Sequence, residues 1–140
     1  MSRARAMAVV LAFVVAAGCM RRSVRDERMY ELGPPLTKVS AVVDAAVRDE
    51  GAPDSLSEEE LLARATAHDR TLVAPFKSYR LRVARDGLDS AVLVCTSDGR
   101  VALLEDAGCT NPLDSELWTR PKPVPCEFTL PLRELCRDAE

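Results

Sequence analysis

Three β-strands are predicted within residues 79–104, which read YRLRVARDGLDSAVLVCTSDGRVALL. At the start of this stretch Tyr79, Leu81 and Val83 alternate with polar side chains. A period of two is typical of a strand with one buried face, because successive side chains point to opposite sides. The first strand is therefore predicted to be half-buried.

The next two strands are separated by short turn signals. Asp86-Gly87 and Ser97-Asp98-Gly99 are typical of tight turns. The run Ala91–Cys95 is apolar at every position and predicts a central or covered strand, and Val101–Leu104 predicts a third strand. Three strands joined by two short turns predict an antiparallel meander.

Two helices are predicted before these strands. Between Leu36 and Glu50 the apolar residues recur at helical spacing and form one stripe, namely Val39, Val42, Val43, Ala46 and Val47. Ser57 and Glu60 have the spacing of a capping box at the start of a second helix, which is predicted to end near Asp69. We therefore expect an α+β fold, with two N-terminal helices packed on a small antiparallel meander of three or four strands.

The last third of the chain is predicted to be irregular. The loop Thr110–Pro125 is rich in proline, and loops of this length are often functional or tied down. The run Cys126–Leu130 is predicted to add a fourth strand to the sheet. A terminal turn is predicted at Leu132–Cys136.

Four cysteines fall in the predicted domain, at Cys95, Cys109, Cys126 and Cys136. An even number in a small domain predicts two disulfides formed in an oxidising compartment. The favoured pairing is Cys109–Cys126 with Cys95–Cys136, since it closes the loop and ties down the C-terminus. The sequential pairing, Cys95–Cys109 with Cys126–Cys136, is the alternative. No Cys-x-x-Cys pair occurs and the only histidine, His68, is distant in sequence, so no metal site is predicted.

The first nineteen residues have the form of a secretory signal. Arg3 and Arg5 precede the uncharged run Ala6–Ala17, which small residues and Cys19 follow. The uncharged stretch is shorter than the roughly 20 apolar residues that a membrane-spanning helix needs. Ordinary signal cleavage after Gly18 and an uncleaved anchor remain alternatives.

Within this segment, Ala16-Ala17-Gly18-Cys19 resembles the lipobox of bacterial lipoproteins. The resemblance implies a signal peptide over residues 1–18 and a Cys19 that carries diacylglycerol and an acyl chain such as palmitate. A tether to residue 35 and a single domain over residues 36–140 would follow. In that family an Asp after the cysteine favours the inner membrane, so Met20 implies a lipid-anchored, periplasm-facing protein of the bacterial cell envelope, at the outer membrane if the host is Gram-negative.

The net charge and the absence of known motifs argue against several classes of function. Removal of residues 1–18, which hold two arginines and no acid, changes the formal net charge from -3 to -5. This balance argues against general nucleic-acid binding, which depends on neutralising phosphates. The sequence has no nucleophile motif and no phosphate-binding glycine loop, so we predict neither catalytic residues nor a cofactor.

The predicted function is a membrane-anchored envelope lipoprotein with a non-enzymatic, protein-contact or accessory role in the periplasm. The proposed contact surface is the exposed face of the sheet together with the proline-rich loop. Its candidate residues are Trp118, Arg120, Arg80 and Arg82, because Trp and Arg are enriched in binding hot spots. A role in packing is the alternative for Trp118, and solvation is the alternative for the two strand arginines. A binding module for a small ligand or an envelope polymer is the alternative function, and an enzyme is less favoured.

Overall fold

The computed structural model describes residues 27–137 of the chain. The chain divides into two compact units, residues 1–31 and residues 32–140. Of the first unit only residues 27–31 are described, and they are helical. Signal residues 1–18 and Cys19 lie outside the described residues, and all further statements concern the second unit.

The second unit has an α+β fold. Its first helix, α1, covers residues 32–48, and α2 covers Glu58–Ala65. A 3-10 helix, Arg70–Phe76, leads into the sheet, a second 3-10 helix covers Leu117–Thr119, and the short helix α3, Leu132–Leu135, lies near the C-terminus.

The sheet has four antiparallel strands in the order β1-β2-β3-β4. Their bounds are Tyr79–Asp86, Asp89–Thr96, Val101–Ala107 and Val124–Pro125. Gly87 and Gly99 in the two connecting turns have φ of 63° and 70°, a conformation that favours glycine. The predicted meander and both turn positions are therefore confirmed.

One face of the sheet, the helical face, meets α1. Successive residues of a strand point to opposite faces, so Val92, Val94 and Asp106 share this face. Ser40 Oγ of α1 hydrogen bonds with Asp106 Oδ2. Four of the five predicted stripe residues of α1 are buried, and Val42 is half-buried.

The opposite face, the C-terminal face, is covered by residues 117–136. Leu93, Cys95 and Ala102 pack there with Leu117, and Val124, Cys126 and Phe128 complete this cluster. Nearby, Ala91 and Ala107 pack with Leu132. Both faces of β2 and β3 are thus covered in the described chain, whereas Arg80 of β1 stays exposed on the C-terminal face. The covering segment was predicted to comprise the end of the proline-rich loop, a fourth strand over Cys126–Leu130 and a terminal turn over Leu132–Cys136.

Both predicted helices differ in their bounds from the structure. Residues 32–35 are helical, although the tether was predicted to run to residue 35. The helix α2 begins with the predicted capping box, in which Ser57 and Glu60 each bond the backbone N–H of the other. It ends at Ala65, the N–H and hydroxyl of Thr66 both bond the Leu62 carbonyl, and Asp69 then caps the 3-10 helix.

The fourth strand lies earlier than predicted. Val124 and Pro125 pair with Ala102 and Val101, whereas the chain after Cys126 leaves the sheet. Residues 126–130 keep the alternation of half-buried and exposed side chains that predicted a strand. They lie across the C-terminal face instead. The predicted alternation of side chains was therefore correct, but the predicted pairing with a strand of the sheet was wrong.

Both predicted disulfide pairings are wrong. The structure has the third of the three possible pairings, Cys95–Cys126 and Cys109–Cys136. Cys95 faces residues 117–136 from β2, and Cys126 packs directly on it. Cys109 follows β3 and meets the C-terminal helix, so each bridge ties the covering segment to the sheet region.

Candidate interaction surface

β1 is an edge strand of the sheet, and its outer side pairs with no other strand. Asp86 and Asp89 flank a two-residue turn and face each other in the register of β1 and β2. Such a pair exchanges hydrogen bonds, and bonded and non-bonded pairs then alternate along the ladder. Tyr79, Leu81 and Val83 therefore direct their backbone N–H and C=O groups away from β2.

Glu58, the first residue of α2, closes one part of this edge. Its Oε2 accepts the N–H of Val83 at 3.2 Å, which agrees with the outward direction of that group. Its Oε1 lies 2.9 Å from Nη2 of Arg82. No hydrogen bond reaches the outward backbone groups of Tyr79 or Leu81 from any described residue.

Arg82 joins three parts of the fold. Besides Glu58, its Nη1 donates to the Cys126 carbonyl at 2.9 Å, and its guanidinium lies 5.5 Å from the centre of the Phe128 ring. These contacts connect α2, β1 and the covering segment. Arg82 was predicted to be a solvated or partner-facing residue, but its side chain is half-buried and its contacts are internal.

A cleft of about 390 Å³ lies between α2 and the β1 edge. Glu58, Glu59 and Leu62 contribute from the helix side. Its remaining lining consists of Ser57, Arg80, Leu81, Arg82, Gly99 and Cys126. This lining contains no aromatic residue and is largely charged, unlike the apolar pockets that usually hold small ligands.

The other side of the sheet is closed to strand pairing. Ser115 exchanges both backbone hydrogen bonds with Glu105, and Asp114 Oδ2 accepts the N–H of Ala107 at 2.7 Å. Beyond them, β4 covers the start of β3. Cys126 N–H bonds inward to the Arg100 carbonyl, so Pro125 and Pro123 occupy outward positions and have no N–H to offer.

The adjacent acids Glu105 and Asp106 are fully buried in β3, where sequence reasoning had placed them after a strand. Glu105 accepts the N–H groups of Thr129 and Leu130 and the hydroxyl of Thr129, at 2.7 to 3.1 Å. Asp106 points to the helical face, and its Oδ1 has no hydrogen-bond partner within the described chain. Burial raises the pKa of Asp106 to about 6; Ser40 opposes the shift and Asp114 adds to it. Both carboxylates are thus internal to the fold, and neither lines the cleft between α2 and the β1 edge.

A second cleft, of about 360 Å³, lies beside the start of α3. Phe128, Leu130 and Leu132 give it an apolar wall. Arg133 bridges its rim to Asp86 with a distance of 2.7 Å between Nε and Oδ2. No aromatic platform for a sugar forms here, since Phe128 is the one aromatic residue in the lining.

The four predicted contact residues belong to two separate elements. Arg80 and Arg82 are on β1 at one side of the sheet. Trp118 and Arg120 lie in and after the 3-10 helix that contacts β3 on the other side. Trp118 is half-buried, and Arg120 and Arg80 are exposed.

The described chain offers no catalytic or metal cluster around its histidine. His68 is exposed and follows α2. Within residues 27–137 no three side chains of His, Cys, Asp or Glu are arranged to hold a metal ion. No helix in this range is long and apolar enough to cross a bilayer.

Sequence reasoning identified Arg80 but missed the edge beside it. The one available signal was the alternation of Arg with apolar residues in β1, since charged side chains are common on edge strands. No protein-family model matches this chain, and neither a curated protein sequence nor a solved structure shows significant similarity to it.

Proposed function

We propose that this chain is an exported lipoprotein, anchored by lipid at Cys19, whose disulfide-bonded domain acts by contact with another protein of the cell envelope. The domain faces the periplasm, with the outer membrane favoured because Met20 follows the cysteine. In this proposal α1 and α2 form one layer over the helical face. No catalysis and no cofactor are part of it.

The pairing of the cysteines is the main support for the proposal. Cys95, Cys109, Cys126 and Cys136 pair with each other, so Cys19 is left without an internal partner among them. Two disulfides in one small domain fit an oxidising compartment, and a remaining cysteine directly after Ala-Ala-Gly fits lipidation. One acyl chain binds membranes marginally, whereas several chains anchor a protein stably.

The first experiment is an intact mass of the protein isolated from host membranes, measured after alkylation with and without prior reduction. We expect a chain that begins at Cys19 and carries acyl groups, with four thiols reactive only after reduction. A Cys19→Ala variant should lose both the acyl mass and the membrane association. An unlipidated chain that retains residues 1–18 would contradict the anchor.

The contact role needs its own experiment. Cross-linking in intact cells, followed by purification from detergent-solubilised membranes, should recover the same envelope protein in repeated preparations. The soluble Cys19→Ala variant is the matched control, because it keeps the domain but changes its location. Recovery of no specific protein from the anchored form would contradict a protein-contact role.

A further inference from the structure

The β1 edge differs from every other strand edge in the described chain. The outward positions of β4 are prolines, and those of β3 are covered by β4, Ser115 and Asp114. On β1, Glu58 closes the edge at Val83, and Tyr79 and Leu81 stay open. Each of these two residues presents one N–H and one C=O, and an added antiparallel strand can form hydrogen bonds with both groups.

The groove beside this edge has two chemically different sides. Leu81 is a helical-face residue, and Leu62 of α2 lines the same cleft. Arg80 points to the opposite side, where a Cβ built on Gly99 would lie 2.8 Å from its Nη1. An extended chain laid along the edge would therefore place successive side chains alternately beside the leucines and beside the arginine.

The charges of the groove favour one kind of side chain on the arginine side. The charge of Arg82 is already matched by Glu58. Arg80 is exposed and forms no ion pair with any described residue. Glu59 on the helix side of the cleft repels acids, so a carboxylate is favoured only at the Arg80 end.

From these observations we propose that the β1 edge at Tyr79 and Leu81 binds an extended segment of a partner protein by strand addition. The segment carries an acidic side chain toward Arg80 and, at the neighbouring position, an apolar side chain toward Leu62 and Leu81. This inference rests on the proposed protein-contact function and names its surface. Main-chain hydrogen bonds supply the affinity of such a contact, and the alternating side chains supply its specificity.

The test uses the full-length protein, purified in detergent, as bait for a displayed library of random linear peptides. We expect selected peptides to share an acidic residue directly beside an apolar residue. N-methylation of the amides that face β1 should weaken binding by at least about tenfold, while methylation of the alternate amides leaves it intact. Loss from both methylation patterns alike, or from neither, would overturn strand addition.

Two variants locate the binding on the protein. Arg80→Glu should weaken binding of the selected acidic peptides by about tenfold or more, and the matched control Arg100→Glu should not, since Arg100 is an exposed cation outside the cleft. Leu81→Pro removes an outward N–H without removing a bond to β2, and it should also abolish binding. Equal effects of Arg80→Glu and Arg100→Glu would overturn the assignment, as would a library that yields no peptide sensitive to Arg80.

The outcome can be separated from that of the proposed function. If the native protein carries no lipid but the peptides bind as described, the strand-addition proposal is supported and the lipid anchor is contradicted. If a partner is recovered from membranes but the selected peptides do not compete with it, the contact role stands and the β1 groove is not its surface.

Discussion

Glu105 and Asp106 are neighbours in β3, yet their carboxylates lie on opposite faces of the sheet and hold opposite layers. Glu105 accepts hydrogen bonds from Thr129 and Leu130 of the covering segment, and Asp106 meets Ser40 of α1. Both side chains are fully buried. One dipeptide therefore joins the sheet to each of the two layers that enclose it.

The substitution Glu105→Gln should lower the free energy of unfolding by about 2–4 kcal/mol. Glutamine can keep all three contacts, since its oxygen accepts the two N–H groups and its amide donates to the Thr129 hydroxyl. The neutral amide nevertheless forms weaker hydrogen bonds than the carboxylate does. Urea unfolding monitored by circular dichroism measures the change. The milder Thr129→Val removes one hydroxyl donor and should cost about 1 kcal/mol. Equal stability of Glu105→Gln and wild type would contradict this account of the contact.

The pKa of Asp106 predicts how stability depends on pH. Burial raises its folded pKa to about 6 from an ordinary value of 3.8, so the folded state binds the proton more tightly than the unfolded state. Its contribution is fully present below pH 3.8 and is lost as the pH rises through about 6, with a total near 3 kcal/mol. Urea unfolding between pH 4 and 7 should show this fall in wild type, and Asp106→Asn should remove it and be the more stable protein at pH 7.

The hydroxyl of Ser40 cannot donate to both of its acceptor neighbours at once. Ser40 has one hydroxyl proton, and its Oγ is within 3.0 Å of the Thr37 carbonyl as well as beside Asp106. A protonated Asp106 can donate from Oδ2 to Ser40, which then donates to Thr37, so each of the two contacts of the Ser40 hydroxyl has a proton. An unchanged pH profile in Asp106→Asn would show that another group titrates.

Gly108 permits the close approach of α1 to the end of β3. A Cβ at this position would lie 2.3 Å from the Asp44 Cβ and 2.8 Å from the Ser40 carbonyl oxygen. Gly108→Ala should therefore force the helix away and destabilise the domain by about 1–3 kcal/mol. The matched control is Gly33→Ala, whose new methyl group meets only Leu113, at 3.7 Å. A lower unfolding temperature for the control Gly33→Ala than for Gly108→Ala would contradict this packing.

Removal of either disulfide should destabilise the domain by about 3.5–4 kcal/mol in the chain-entropy model, given sequence separations of 31 and 27 residues. The double variants Cys95→Ala with Cys126→Ala, and Cys109→Ala with Cys136→Ala, test the two bridges separately. Peptide mapping without reduction checks the connectivity itself. A peptide that links Cys109 to Cys126 would contradict the structure.

Features encoded within a few residues were predictable from the sequence. The alternation in β1, the glycine turns and the capping box at Ser57 each depend on neighbours in the chain, and each is present. The helical stripe of α1 was correct for the same reason. The helical residues 32–35 were not predicted, because prolines such as Pro34 and Pro35 are typical of the start of a helix.

Features that depend on distant pairing were not predictable. The run after Cys126 has the alternation of a strand, and nothing local shows that Glu105 rather than a neighbouring strand takes its N–H groups. The burial of Glu105 and Asp106 follows from layers on both faces, which no local pattern reveals. The disulfide pairing and the open β1 edge follow from the same tertiary arrangement.

The difference between the two edges of the sheet also limits how many partners can bind by strand pairing. Indefinite growth by strand pairing requires that each added copy present a fresh edge, and the prolines at Pro123 and Pro125 remove the outward donors from β4. Pairing of two copies through β1 would use that edge on both, which closes the assembly as a two-fold dimer. Any complex built on this sheet therefore stops at one partner per domain and cannot polymerise into a fibre through its strands.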